Sequence, residues 1–217
     1  MSNQRWKAKW KANDIAFHQS DSNPYLPQFW PTLALAPGSS VLVPLCGKSH
    51  DLTWLQAQGH KVIGIELSHI AIQAFFAERG LVPARQRHGR FIRWWHGEIE
   101  IWCGDLFDLK GPDLGEIAAV YDCTALTALP ATSRSDYIRQ LTSLLAVHSQ
   151  ILLLTTESCD GTETGCSSQP DSEVLSLYQS RFAIELLHGH SCMKVDPEFP
   201  DLPANPLAEK VYHMSPL

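Results

Sequence analysis

One stretch of the chain, residues 41–68, constrains the fold more than any other. It reads VLVPLCGKSHDLTWLQAQGHKVIGIELS, with short apolar runs from Val41 and from Val62 on either side of a helix-like segment. This pattern predicts a strand, a tight turn, a helix and a second strand parallel to the first. Gly47 lies at the turn and Glu66 ends the second strand about 20 residues later, as in nucleoside-binding α/β sheets. We therefore expect Glu66 to accept hydrogen bonds from ribose hydroxyls.

Two phosphate-binding motifs do not match this stretch, which argues against a ligand that carries phosphates. Gly47 is the only glycine of the turn, so the G-x-G-x-x-G pattern of dinucleotide sites is absent. Gly47-Lys48-Ser49 matches the end of a phosphate-binding loop, but that loop needs a glycine where this chain has Leu42. A nucleoside without phosphates points to S-adenosylmethionine. The plainer alternative is a βαβ unit in which Glu66 is an ordinary exposed side chain.

Composition limits the domain count, the partners and the compartment. With 217 residues and no linker, we expect one domain over residues 1–217, in which residues 1–38 form an aromatic N-terminal extension. The net charge of −6 and the lack of a basic cluster argue against a nucleic-acid partner. No apolar run is long enough to span a bilayer, and no signal peptide is recognisable. Six cysteines without a C-x-x-C pair predict reduced thiols in a cytoplasmic protein, which we expect to be a monomer.

The order of apolar segments predicts a seven-stranded, mostly parallel sheet with helices on both faces. After residues 41–68, we expect a hairpin over residues 91–103 and further strands near residues 118–122, 150–155, 182–187 and 210–214. Helices are expected over residues 70–79, 132–147 and 173–181, the last of them capped by Ser172. This is the plan of S-adenosylmethionine-dependent methyltransferases.

The N-terminal extension is rich in aromatic residues, namely Trp6, Trp10, Phe17, Tyr25, Phe29 and Trp30. Trp6 and Trp10 are four residues apart and share one face of a short helix. A sheet that had only to fold would not require these rings, whereas a lid over a ligand would be rich in them. We therefore expect a helical lid, with simple packing of the rings on the sheet as the alternative.

Four segments closely resemble the bacterial form of the thiopurine S-methyltransferase family: VLVPLCGKSHDLTWL, GHKVIGIELSHIAIQAFF, IAFHQSDSNPYLPQFWP and CGDLFDL. The resemblance covers nearly the whole chain, and PLCGKS together with GIELS is specific to this family among methyltransferases. It implies a Rossmann-like fold and methyl transfer from S-adenosylmethionine to a small aromatic or heterocyclic thiol. In some bacterial members the acceptor is a selenium or tellurium species, so a metalloid acceptor is the alternative.

The resemblance also implies individual site residues. The cofactor contacts would be Trp10, Leu45, Glu66, Asp105, Leu106 and Cys123, with Glu66 on the ribose and Asp105 and Leu106 beside the adenine. Phe17 matches the aromatic residue that borders both cofactor and acceptor. Cys123 stands where the family has an arginine, and residues 165–170 replace its Gly-Pro-Pro-Phe stretch. Both departures cluster around the acceptor, so we expect acceptor choice to differ more than cofactor binding.

Methyl transfer to sulfur needs little acid–base machinery, because a thiolate is already a strong nucleophile. We therefore assign no catalytic acid or base and no metal site. A nucleophilic role for Cys46 lacks a defined base, and the loop residues Cys159 and Cys166 are interpreted as ordinary thiols, with redox or metalloid binding as the alternative.

Two further alternatives concern the class of protein. His188, His190 and Cys192 alternate near a strand end and could ligate a metal, but no second cluster has a fitting spacing. A chain that keeps the nucleoside pocket but lacks the arginine could also be a non-catalytic binder of S-adenosylmethionine. A turnover assay separates this binder from an enzyme.

Overall fold

The computed structural model of the chain describes residues 3–158, 170–194 and 205–217. These residues contain nine strands: β1 (Ser40–Val43), β2 (Lys61–Glu66), β3 (Ala84–His88), β4 (Phe91–His96), β5 (Ile99–Cys103), β6 (Ala119–Cys123), β7 (Gln150–Ser158), β8 (Phe182–Lys194) and β9 (Asn205–Pro216). The α-helices in the same ranges are α1 (Asn3–Ala12), α2 (Tyr25–Phe29), α3 (Asp51–Ala57), α4 (His69–Glu78), α5 (Gly111–Leu114), α6 (Ala125–Ala128), α7 (Ala131–Ser143) and α8 (Ser172–Tyr178). Short 3₁₀ helices span Trp30–Leu33 and Leu106–Asp108.

The strands form one sheet in the order β3-β4-β5-β2-β1-β6-β7-β9-β8. The five strands from β5 to β7 run parallel to one another. At one side β4 and β3 continue the sheet in antiparallel pairing, and at the other side β9 and β8 do the same. The predicted parallel centre is therefore confirmed, whereas the predicted count of seven strands is wrong, because the sheet has nine and is mixed.

Strand β3 lies where the sequence predicted no strand. Its sequence, ARQRH, has no alternation of apolar and polar residues, and all five side chains are exposed. The strand is held by its backbone pairing with β4, in register from Ala84 opposite Trp95 to His88 opposite Phe91. Hydrophobic periodicity cannot reveal a strand that buries neither face.

Two clusters of buried apolar side chains form the core, one on each face of the sheet. Neighbouring residues of β1 show the separation, since Leu42 belongs to one cluster and Val41 and Val43 to the other. Helices α7 and α8 cover the first face, with Tyr137 in the core, and α3 and α4 cover the second, with Phe75. The predicted helices on both faces are confirmed.

The helix boundaries differ in detail from the sequence-based expectation. Helix α7 ends at Ser143, four residues before the expected end. Helix α8 is capped by Asp171 rather than by Ser172, because the Asp171 carboxylate accepts the N–H groups of Glu173 at 2.7 Å and Val174 at 3.2 Å. A carboxylate cap satisfies two backbone donors that the helix itself cannot pair.

The N-terminal extension divides into two parts. Leu26, Trp30 and Leu33 are buried in the core of the second face. The backbone N–H of Asn23 donates to Asp51 at 2.8 Å, which fastens the chain to the start of α3. Residues 23–33 therefore belong to the core, whereas α1 and Phe17 lie at the carboxyl edge of the parallel strands.

Candidate active site

One cavity lies at the carboxyl ends of β1, β2, β5 and β6, the edge of a parallel sheet where ligands bind. Its volume, including the open mouth, is about 1000 Å³, which is the upper end of the size of small-molecule sites. All seven residues singled out from the sequence line it: Trp10, Phe17, Leu45, Glu66, Asp105, Leu106 and Cys123. The fold thus brings together residues that are spread over more than half of the chain.

Glu66 ends β2 and lies buried at the floor of this cavity. Its Oε2 accepts the N–H of Gly47 at 2.9 Å, and its Oε1 accepts the N–H of Ser68 at 2.6 Å. Burial nevertheless raises the pKa of Glu66 to about 7, because these backbone donors only partly replace the lost water. Glu66 is therefore hydrogen-bonded directly to the turn at Gly47.

Gly47 is required at the turn for two reasons. Its φ of +54° lies in the left-handed region, which glycine adopts without steric cost. A Cβ at this position would also lie 3.3 Å from Cζ2 of Trp10, closer than an unstrained contact. The glycine therefore lets the N–H reach Glu66 while Trp10 packs against the turn.

Two other residues of the cavity wall have left-handed backbones although neither is glycine. Leu45 has a φ of +49° and Thr124 a φ of +63°. Such conformations cost about 1–3 kcal/mol each and are concentrated at functional sites. The strain lies at the ends of β1 and β6, where the chain turns over the cavity.

Asp122 and Tyr137 form a buried pair beside the cavity. The Tyr137 hydroxyl donates to Asp122 Oδ2 at 2.6 Å, and the N–H of Ala125 donates to Oδ1 at 3.0 Å. Burial raises the pKa of Asp122 to about 6, against the opposite effect of these donors. Tyr137 lines the cavity but was missed in the sequence, where it is one aromatic residue on an amphipathic helix.

Cys123 lies next in the chain and contributes its side chain to the cavity wall. Burial raises the pKa of its thiol to about 12, and the negative charges of Asp51 and Asp122 act in the same direction. The side-chain amide of Asn23 donates to its sulfur at 3.6 Å. The thiol therefore stays protonated near neutral pH, and Cys123 is a neutral group in the wall.

At the end of β5, Asp105 connects the cavity to the first helix. Its Oδ1 accepts the N–H of Phe107 at 3.1 Å, which caps the 3₁₀ helix that begins with Leu106. Its Oδ2 accepts a hydrogen bond from the side-chain amide of Asn3 on α1. Asn3, which the sequence analysis did not single out, therefore also lies at the cavity.

Three aromatic rings form the side of the cavity contributed by the N-terminal segment. Phe17 meets Trp6 edge-to-face at a centroid distance of 5.4 Å and Trp10 at 5.8 Å. Trp10 is buried, whereas Phe17 is 46% exposed although it touches both rings. The exposed ring lies at the mouth of the cavity, where a flat ligand could stack on it.

Other candidate residues lie elsewhere. Cys46 is buried beneath the turn and is absent from the cavity lining. The ring of His188 packs against Tyr25 at 4.9 Å, away from the cavity wall. Cys159 and Cys166 lie outside the described residues.

Among the described side chains, those of residues 3–157, 170–191 and 207–217, no three His, Cys, Asp or Glu are grouped so that they could hold a metal ion. No helix in those ranges is long and apolar enough to cross a membrane.

Comparison with known proteins gives a family and a fold. The family model of thiopurine S-methyltransferase matches residues 1–216. The thiopurine S-methyltransferase of Stutzerimonas stutzeri is 46% identical over 197 residues, which cover 90% of this chain and 84% of that protein. The thiopurine S-methyltransferase of Pseudomonas putida is 40% identical over 210 residues, which cover 97% of both chains.

Among solved structures, a Burkholderia thailandensis enzyme shares the fold. It is 1,6-didemethyltoxoflavin-N1-methyltransferase with bound 1,6-didemethyltoxoflavin and S-adenosylhomocysteine, and it matches with a TM-score of 0.63. The match covers 98% of this chain and 87% of that one at 14% sequence identity, so it speaks for the fold alone. The family match, the level of identity to its members and the shared fold lead to one conclusion: the chain belongs to the thiopurine S-methyltransferase family and is an S-adenosylmethionine-dependent methyltransferase.

Proposed function

We propose that the cavity binds S-adenosylmethionine and that the protein methylates the sulfur of a thiopurine or a related small heterocyclic thiol. The observation that carries this proposal is the convergence of seven residues, chosen from the sequence, on one cavity at the carboxyl edge of the sheet. Two relatives that bear the name thiopurine S-methyltransferase support the choice of acceptor class.

The polar groups of the cavity fit the nucleoside part of the cofactor. A carboxylate can accept about four hydrogen bonds, and the N–H groups of Gly47 and Ser68 leave Glu66 with acceptor capacity for ribose hydroxyls. At the end of β5, the Leu106 side chain offers an apolar surface and Asp105 an acceptor, which suits an adenine and its amino group. Glu66 would thus hold the ribose, and Asp105 with Leu106 the base.

The opposite wall fits a flat acceptor. The rings of Trp6, Trp10 and Phe17 present faces and edges that attract both an aromatic thiol and a sulfonium cation. Cys123 adds a neutral thiol to the wall. We therefore propose that acceptors without a carboxylate are favoured over acceptors that carry one.

Little chemistry is left for the protein beyond positioning. When bound, S-adenosylmethionine supplies an electrophilic methyl group, which a heterocyclic thiolate accepts without help from a general base. Glu66 and Asp105 would orient the donor, while Phe17 and the tryptophans align the acceptor and exclude water. Holding two reactants in line is worth up to about 7–11 kcal/mol of the barrier in well-oriented reactions.

An acceptor screen with a radiolabelled methyl donor tests the proposal. The acceptors are a thiopurine, a thiophenol, selenite and tellurite, each at the same concentration. We expect labelled product from the thiopurine and the thiophenol. Labelling of selenite or tellurite alone would assign the protein to metalloid methylation, and cofactor binding without turnover of any acceptor would make it a binder.

We further propose that the protein acts as a monomer in the cytoplasm on small molecules, without a nucleic-acid or membrane partner. Its net charge of −6 supports the absence of those two partners, because nucleic acids and anionic lipid surfaces would repel it. Light scattering after size exclusion should give a mass near 24.2 kDa. A mass of twice that value would contradict the monomer.

A further inference from the structure

A row of side chains outside the cavity joins the end of α4 to the N-terminal segment. Arg79 follows α4, and its Nη2 lies 3.1 Å from Nδ1 of His50. The ring of His50 stacks on that of His18, with a centroid distance of 5.9 Å and an interplanar angle of 20°. His18 is the neighbour in sequence of Phe17, whose ring lines the cavity. The row therefore ends one residue away from the cavity wall.

The chemistry of arginine fixes the state of His50 in this arrangement. A guanidinium can only donate hydrogen bonds, so Nδ1 of His50 must accept. The His50 ring is then neutral and carries its hydrogen on Nε2. A second hydrogen on Nδ1 would face the guanidinium of Arg79 and remove the contact.

Arg79 is itself held firmly, so it serves as the fixed end of the row. It donates to the carbonyl oxygen of Phe75 at 2.9 Å and to those of Lys48 and Ser49 at 3.3 Å each. Its guanidinium also lies 4.0 Å from the centre of the Phe75 ring. These contacts tie the turn after β1 to α4, and His50 extends the tie to His18.

We propose that His50 is a positioning residue for the methyl transfer. In its neutral form it accepts a hydrogen bond from Arg79, supports the ring of His18 and so keeps Phe17 at the wall of the cavity. This inference rests on the proposed role of Phe17 beside the acceptor.

Charged groups near His18 make this stack dependent on pH. Lys48 and Arg79 are cations near His18, while Glu78 is paired with Lys48 at 2.6 Å and Asp51 accepts hydrogen bonds from Asn23 and Tyr121. Burial lowers the pKa of His18 below its ordinary value of 6.5, and the positive charges of Lys48 and Arg79 act in the same direction, whereas Glu78 opposes them. A histidine with a lowered pKa contributes stability above its ordinary pKa and loses it as the pH falls through the lowered value. The stack should therefore weaken on the acidic side.

Two substitutions at His50 test the proposal, with an exposed histidine as control. His50→Gln keeps an oxygen that can accept from Arg79, His50→Ala removes the acceptor, and His69→Gln removes an exposed histidine at the start of α4. At pH about 8, we expect His50→Ala to lower kcat/KM for the thiopurine about tenfold, the order expected for one hydrogen bond from a charged donor. Both Gln variants should stay close to the unsubstituted protein.

Rescue by the conservative variant separates positioning from a merely structural role. The amide oxygen of His50→Gln can accept from Arg79, so this variant should keep the kcat/KM that His50→Ala loses. A loss of kcat/KM in His50→Gln equal to that in His50→Ala would overturn the proposal.

A second measurement needs no acceptor and therefore stands apart from the proposed function. Amide hydrogen exchange over residues 13–21, expressed as protection factors, should fall in His50→Ala and on acidification of the unsubstituted protein. Unchanged protection in His50→Ala would overturn the inference, whereas failure of every acceptor to react would overturn only the proposed function.

Discussion

Tyr137 donates its phenolic hydrogen to Asp122 across 2.6 Å, and both side chains are fully buried. Removal of the donor should leave a buried carboxyl with one unpaired oxygen, which costs about 1–3 kcal/mol. We therefore expect Tyr137→Phe to lower the free energy of unfolding by that amount in urea denaturation.

Tyr178→Phe is the matched control. Tyr178 is equally buried, but its hydroxyl has no hydrogen-bond partner within residues 3–158, 170–194 and 205–217. Loss of an unpaired buried hydroxyl should be neutral or stabilising. Equal destabilisation by the two substitutions would show that the bond to Asp122 contributes nothing beyond the packing of the ring.

The cofactor affinity should depend on the charge of Glu66. Its pKa of about 7 in the free protein means that the carboxylate, the better acceptor for ribose hydroxyls, is lost as the pH falls through 7. Calorimetry should therefore show weaker binding of S-adenosylmethionine at pH about 6 than at about 8, with a difference of several-fold.

Glu66→Gln provides the comparison for this pH dependence. It should bind more weakly at high pH by about 1.5–3 kcal/mol for each lost charge-assisted bond, and its affinity should be flat over the same pH range. A pH dependence that persists in Glu66→Gln would assign the titration to another group.

Gly47→Ala should reduce cofactor affinity, because the added methyl group meets Trp10 and the backbone must keep a φ of +54°. Gly59→Ala is the matched control, since Gly59 has a φ of +88° with nothing near its added Cβ. Both variants should lose about 1 kcal/mol of stability. Only Gly47→Ala should change the cofactor affinity. Equal cofactor affinities of the two variants would show that the contact between Trp10 and the turn does not affect binding.

Deletion of residues 1–18 should affect the site more than the fold. It removes Trp6, Trp10 and Phe17 from the cavity but leaves the core segment that starts at Asn23. We expect cofactor affinity and turnover to fall at least tenfold, with a smaller relative change in Tm. Normal turnover in the truncated protein would show that these rings only pack on the sheet and do not contribute to the site.

Cys123→Arg should raise kcat/KM for an anionic thiopurine. The new guanidinium would face the negative charges of Asp51 and Asp122, which already act on the thiol at this position. It would also bring a permanent positive charge to the cavity wall, where the neutral thiol offers none. Cys123→Ala is the control for loss of the thiol. A lower kcat/KM in the arginine variant would mean that the cavity wall is packed around cysteine and does not accommodate arginine at this position.

The parts of the site that could be predicted from the sequence are those that follow from strand ends. Glu66 and Gly47 lie at the ends of adjacent parallel strands, and such ends meet at one edge of a sheet. The left-handed backbones of Leu45 and Thr124 were not predicted, because neither residue type favours that conformation.

The features of the fold and the site that could not be predicted depend on contacts between distant segments. Tyr137 and His50 occupy ordinary helical and turn positions, and only the packing of α7 and α4 gives them Asp122 and Arg79 as partners. Likewise, β3 is held by backbone pairing that its polar side chains do not reveal. Short-range patterns carry no information on such pairings.

The position of β9 between β7 and β8 has a consequence for synthesis of the protein. Strand β8 leaves the ribosome before β9, yet its place in the sheet is defined by antiparallel pairing with β9. Until β9 emerges, β7 presents an unpaired edge and β8 has no strand to join, a state that is open to association with other chains. Assembly on this side must therefore wait for the later strand, while the parallel strands β1, β2, β5 and β6 can already be in place.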